Sequence, residues 1–169
     1  MAVQRIFLPD EAATLALGRA MARALPQEWD APVALLRATL GSGKTTLARG
    51  FVSGLPGSEN AEVASPSFNL ANVYPTSPSV VHVDLYRLGE GFPDADLDEL
   101  LDAGNVPDRR VMLVEWAQYL PAALHPSGWL ELELAESGEG RDATLTPHGP
   151  QAAQWLERIL TTYLQSDTS

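Results

Sequence analysis

The stretch Ala38-Thr39-Leu40-Gly41-Ser42-Gly43-Lys44-Thr45-Thr46 limits what this chain can fold into more than any other. It follows an apolar run, Val33-Ala34-Leu35-Leu36, with the length and composition of a buried strand. It leads into residues 47–52, whose apolar members recur at helical spacing. Strand, glycine loop, Lys-Thr and helix is the order a phosphate cradle needs. Gly41 and Gly43 let the backbone take positive φ and come close to an anion. The loop N–H groups then converge, and the new helix adds its unpaired N–H groups and positive dipole end. In that arrangement Lys44 reaches the β- and γ-phosphates and the Thr45 hydroxyl meets Mg²⁺.

The full pattern, G-x-x-x-x-G-K-[ST], has glycine where this chain has Ala38. Alanine carries the smallest side chain with a Cβ, and the position closes the strand rather than wrapping the phosphates. The expectation is an altered loop entry and an intact cradle. The plainer alternative is a Gly-Ser-Gly turn capping a helix, with Lys44 merely solvated. Against it, Lys44 is the only lysine, and every other basic residue is arginine. Lysine is kept where a compact ammonium suits a phosphate chain.

A length of 169 residues suits one domain with a sizeable core, expected over 1–164 with a flexible tail at 165–169. No run approaches the roughly 18 apolar residues of a membrane helix. Residues 1–14 carry charges and a proline where a signal peptide needs an apolar core, so the expected location is cytoplasmic. The absence of cysteine excludes disulfides, thiolate zinc sites and cysteine nucleophiles. A net charge of -11 opposes direct binding to DNA or RNA, which relies on several Lys/Arg–phosphate contacts. A basic partner protein is easier to accommodate.

Two further apolar runs, Val80-Val81-His82-Val83-Asp84 and Val111-Met112-Leu113-Val114-Glu115-Trp116, read as strands carrying a carboxylate at the end. Ligands of open α/β sheets bind beyond the carboxyl ends of the strands. An acidic residue there is where a nucleotide protein holds Mg²⁺, directly or through water. Pattern alone leaves open which of Asp84 and Glu115 takes the metal and which positions the attacking water. His82 reads as a core residue or a support to the site. Trp116 reads as packing, or as a nucleotide or partner contact. Arg87 is a charge partner for Asp84 or a phosphate contact. Ser65-Pro66-Ser67 is a plain turn, or a switch-like loop whose hydroxyls sense the γ-phosphate.

The remaining pattern gives an edge strand at 3–8, a helix from Pro9-Asp10-Glu11 to Leu25, a short acidic helix at 95–102, a hairpin formed by 128–134 and 141–146, and a final helix over 151–164. His125 and His148 fall in proline-flanked loops. The predicted fold is α/β: a single P-loop NTPase-like domain in three layers, with a central mixed sheet flanked by helices.

Taken in order, Leu40-Gly41-Ser42-Gly43-Lys44-Thr45-Thr46, Ser65-Pro66-Ser67-Phe68, His82-Val83-Asp84-Leu85-Tyr86-Arg87 and Leu113-Val114-Glu115-Trp116 resemble the TsaE (YjeE) ATPases of bacterial tRNA threonylcarbamoyladenosine biosynthesis. The resemblance runs from about Leu8 to Arg141. It implies an ATP hydrolase that binds ATP, ADP and Mg²⁺ and acts with the TsaD–TsaB pair, which modifies adenosine 37 of tRNA. It also implies tRNA contact only through that complex, and hydrolysis that resets the complex between turnovers. Carried over by residue, Lys44 contacts phosphates, Thr45 and Glu115 hold Mg²⁺, and Asp84 is the other acidic residue of the site. Leu40, Gly41, Ser42, Gly43 and Thr46 line the nucleotide, and Glu11, Gln118 and Arg141 match positions around it. Departures are Ala38 and Thr39 for the usual Gly-Asp, Ser67 for the usual Thr, and Ala117 where proline is common. Three other classes compete. A GTPase lacks the Asn-Lys-x-Asp element, because Lys44 is the only lysine. A small-molecule kinase needs an arginine-bearing lid, and only Arg109-Arg110 comes near one. A non-catalytic nucleotide-binding interaction module remains.

Overall fold

The computed structural model describes residues 2–38, 43–64, 66, 71–86 and 109–166. Strands are β1 (Gln4–Leu8), β2 (Val33–Ala38), β3 (Ala71–Tyr74), β4 (Ser79–Asp84), β5 (Arg110–Glu115), β6 (Trp129–Ser137) and β7 (Gly140–His148). Helices are α1 (Glu11–Arg23), α2 (Lys44–Ser53) and α3 (Pro150–Ser166), with 3-10 turns at Ser58–Asn60, Ala117–Tyr119 and Ala122–Leu124. The strands form one seven-stranded sheet in the order β1-β7-β6-β2-β5-β4-β3. The four central strands run parallel, and β7, β1 and β3 pair antiparallel at the flanks. The predicted α/β architecture holds, with the strand before the glycine loop in the middle.

Alternation along each strand sends successive side chains to opposite faces. Ala34 and Leu36 of β2, Leu113 of β5 and Leu132 of β6 join the larger core beneath α1, α2 and α3. Leu35, Val83, Met112 and Val114 join a second core on the other face, closed in part by Trp116 and Leu120. Among the described residues no helix is long and apolar enough to cross a membrane.

Two glycines bring α1 against α2. A Cβ on Gly18 would lie 2.4 Å from the Leu47 carbonyl oxygen, and one on Gly50 would lie 2.3 Å from that of Leu15. The helices therefore touch backbone to backbone, which ties the start of α1 to the start of α2. Asp10 caps α1 by accepting the Ala13 N–H at 2.8 Å.

Several boundaries move. The fifth strand ends at Glu115, and Trp116 turns out of it with φ 57 and ψ 41. The hairpin strands run further than alternation suggested, so His148 closes β7 instead of lying in a loop. The last helix continues through Gln165 to Ser166, which the expected tail had included. The acidic helix expected at 95–102 and the end of the tail, 167–169, lie outside the described residues.

Candidate functional site

Register places the site. Leu36 of β2 and Asp84 of β4 both pair with Glu115 of β5, so the carboxyl ends of three parallel strands share one edge of the sheet. β2 ends at that edge, and Gly43, the residue before α2, lies in the left-handed region with φ 101. Lys44 is then the first residue of α2. Its side chain is only 8% exposed, with Nζ 4.6 Å from the centre of the Trp116 ring. Burial lowers the Lys44 pKa from its ordinary 10.5, while the charges of Glu115 and Asp84 push it back up. The ammonium and both carboxylates thus act on one another through a largely buried space.

Each carboxylate is held differently. Asp84 Oδ1 accepts the Tyr86 N–H at 2.8 Å, a local turn that fixes the carboxylate at the strand tip. The Leu85 N–H donates to the Glu115 carbonyl at 3.1 Å and ties the two tips together. The Glu115 side chain is 1% exposed, and its Oε2 lies 3.1 Å from His82 Nε2. Its Oε1 is buried and has no hydrogen-bond partner. An unpaired buried acceptor of this kind costs a few kcal/mol, more when charged, unless a ligand satisfies it.

That oxygen bears on whether Mg²⁺ fits. Among the described residues no group of three or more His, Cys, Asp or Glu could hold a metal unaided. Mg²⁺ does not require one: it keeps several waters and takes one or two carboxylates together with substrate phosphates. Glu115 Oε1, Asp84 and the half-buried Thr45 hydroxyl, one residue into α2, are hard oxygen donors suited to an ion delivered with a triphosphate.

Trp116 is the only non-glycine residue with positive φ among those described. Such a conformation costs on the order of 1 kcal/mol and gathers at functional sites. Tyr86 packs on one side of its ring at 4.7 Å between centroids, and Tyr119 stacks at 5.9 Å. The aromatic cluster walls the Lys44 end of the site.

A cavity of about 250 Å³ lies on the other flank of the α2 N-terminus, lined by Leu8, Asp10, Glu11, Thr14, Gly43, Thr46, Glu139, Gly140 and Arg141. Glu11 and Arg141 thus meet Gly43 and Thr46 in space, although 130 residues separate the outer two in sequence. Arg141 is placed by pairing with Leu8 and donates from Nη1 to the Gly140 carbonyl at 2.9 Å. A larger cavity of about 500 Å³ opens at the opposite ends of β2 and β5 and holds none of the predicted residues. Gln118 is exposed on the turn after Trp116 and lines neither cavity. Leu40, Gly41, Ser42, Ser65, Ser67 and Arg87 lie outside the described residues. Tyr74, Tyr86 and Glu139 were not foreseen: their roles depend on strand register and on the aromatic stack, which local sequence does not display.

The sequence pattern of the family described as "Threonylcarbamoyl adenosine biosynthesis protein TsaE" matches residues 8–143. Among curated proteins, the chain is 34% identical to a tRNA threonylcarbamoyladenosine biosynthesis protein TsaE of Nostoc sp. over 148 residues, covering 85% of each. It is 32% identical to the protein of that name from Aquifex aeolicus, covering 69% of this chain and 78% of the relative. The match to the Streptomyces coelicolor protein is 41% identical over 108 residues, covering 60% of this chain and 66% of the relative. Among solved structures, Bacillus subtilis YdiB superposes with a TM-score of 0.74 at 23% identity, covering 95% of both chains, a likeness in fold.

Proposed function

The chain belongs to the TsaE family of threonylcarbamoyl adenosine biosynthesis proteins, and from that premise we propose that it is a Mg²⁺-dependent ATPase that drives turnover of a TsaD–TsaB transferase complex. The observation that supports this best is the convergence of Lys44, Asp84 and Glu115 at the N-terminus of α2. A triphosphate in that place meets the helix N-terminus, and Lys44 leaves the Trp116 face to balance the β- and γ-phosphate charge. Thr45 and Glu115 would hold Mg²⁺, which when bound supplies charge neutralisation between those phosphates. Asp84 orients a water for in-line attack on the γ-phosphate. Glu11 and Arg141 flank the cavity beside Gly43, where the rest of the nucleotide is accommodated.

At this end of the sheet Arg37 is drawn to Glu131 at 3.8 Å and Arg141 lines the cavity beside Gly43, so neither is assigned to the developing charge on the γ-phosphate. Hydrolysis by the chain alone is therefore slow, and the partner pair completes the site. The net charge of -11 favours contact with tRNA through those partners. The test is ATP turnover of Lys44→Ala and Glu115→Ala with and without the TsaD–TsaB pair. Loss in both variants is expected, and wild-type-like turnover in either contradicts the mechanism.

A further inference from the structure

His82 is fully buried in β4 and stands between the site and the far edge of the sheet. Its Nε2 lies 3.1 Å from Glu115 Oε2, and its Nδ1 lies 3.1 Å from the Tyr74 hydroxyl. Tyr74 in turn meets both backbone groups of Ala64: the carbonyl oxygen at 3.0 Å and the N–H, which donates to the hydroxyl at 3.4 Å. Asn72 Nδ2 also donates to the Ala64 carbonyl, at 3.2 Å.

One phenol proton serves either the Ala64 carbonyl or His82 Nδ1. If it goes to the carbonyl, Nδ1 must be the protonated nitrogen of a neutral ring, and the bare Nε2 lone pair faces a carboxylate. If it goes to Nδ1, Nε2 carries the hydrogen and faces Glu115, and Asn72 still satisfies the Ala64 carbonyl. Of the two neutral-ring arrangements, only the second turns an N–H toward the carboxylate, at the cost of the Tyr74 donation to the Ala64 carbonyl. Donors then run one way, from the Ala64 amide through Tyr74 and His82 to Glu115. The Nε2–Oε2 approach lies outside strict hydrogen-bond geometry, and a small turn of the carboxylate completes it.

We propose that His82, held in its Nε2–H tautomer by Tyr74, is a positioning residue that claims Glu115 Oε2 and leaves Oε1 for the divalent cation. The assignment rests on the reading of Glu115 as a cation ligand. It accounts for the one-sided state of that carboxylate, one oxygen against the imidazole and the other buried without a partner. Second-sphere partners of this type fix the orientation of a metal-binding side chain, and their loss costs roughly 10- to 100-fold in metal affinity.

The test measures the Mg²⁺ concentration that half-saturates ATP binding, by calorimetry, in the wild type, Glu115→Ala, Tyr74→Phe, His82→Leu and His82→Gln. Tyr74→Phe and His82→Leu should raise it about tenfold and leave Mg²⁺-free ATP affinity unchanged. His82→Gln should stay near the wild type, because its amide donates to Oε2 while its oxygen accepts from Tyr74. A wild-type requirement in Glu115→Ala overturns the cation reading itself. A raised requirement in Glu115→Ala with none in Tyr74→Phe overturns only the positioning role. Equal losses in His82→Leu and His82→Gln reduce His82 to a space-filler and also overturn it. Nitrogen-15 shifts of His82 in the nucleotide-free protein should report the Nε2–H tautomer, and the Nδ1–H form contradicts the proposal.

Discussion

The helix-covered core and the tips of β2, β4 and β5 are both buried, yet they treat their polar atoms in opposite ways. Beneath α1 and α3, Trp155 is fully buried, packs edge-on against Trp29 at 5.9 Å, and donates its one N–H to the Met21 carbonyl at 2.9 Å. Nothing polar on that side chain is left over. At the strand tips a lysine, two carboxylates and a histidine crowd together, one Glu115 oxygen is unpaired, and Trp116 sits in a strained backbone conformation. The first region is organised for stability alone. The second holds unmet demand that a bound triphosphate and its cation would satisfy.

Substitutions can break this contrast. Trp155→Ala should cost about 3–5 kcal/mol of stability, read by denaturant unfolding, and leave the turnover of the folded fraction intact. Lys44→Ala should do the reverse. Turnover should fall about 10²- to 10³-fold, as when one donor to a transition-state charge is removed, with the melting temperature unchanged or higher. If Lys44→Ala unfolds the protein, the tips are structural and the contrast fails.

Intermediate effects sharpen it. Gly50→Ala, whose new methyl meets the Leu15 carbonyl, should cost about 1–3 kcal/mol by overpacking. Because α1 carries Glu11, the same change should also weaken nucleotide binding, a coupling that Trp155→Ala should lack. Asp10→Ala should cost about 1 kcal/mol through loss of the α1 cap.

The smallest effect concerns protons. In the free protein the Lys44 pKa lies below 10.5, so between the two values the unfolded chain binds more protons. Across that window this residue's contribution to stability rises with pH. Phosphate charge raises the value again. Nucleotide binding in the window should therefore take up protons, seen as a dependence of calorimetric heat on the buffer's ionisation enthalpy. Lys44→Arg, whose guanidinium stays charged, should take up none at this position.

The two regions also differ in how far sequence alone reveals them. Alternation in residues 128–134 and helical spacing after Pro9 and Pro150 place most elements, because a buried stripe repeats with the period of its backbone. Pro147 hid the end of β7. It lies beyond Leu145, the last residue paired with β1, where an open edge tolerates a residue without an N–H. At the site, Lys44, Asp84 and Glu115 were legible as a loop lysine and strand-end acids. The partnership of His82 with Glu115 and Tyr74 was not, since it depends on parallel register between β4 and β5, far apart in sequence, and on the antiparallel pairing of β3 with β4. The left-handed turn at Trp116 was equally hidden, because a bulky residue gives no local signal for it.

The most direct test of the contrast is a crystal structure with Mg²⁺ and a non-hydrolysable ATP analogue. The account predicts Lys44 Nζ on the β- and γ-phosphates, withdrawn from the Trp116 ring, and Glu115 Oε1 on the cation or on one of its waters. Phosphates bound elsewhere, with Lys44 still against Trp116 and Oε1 still unpaired, would contradict it.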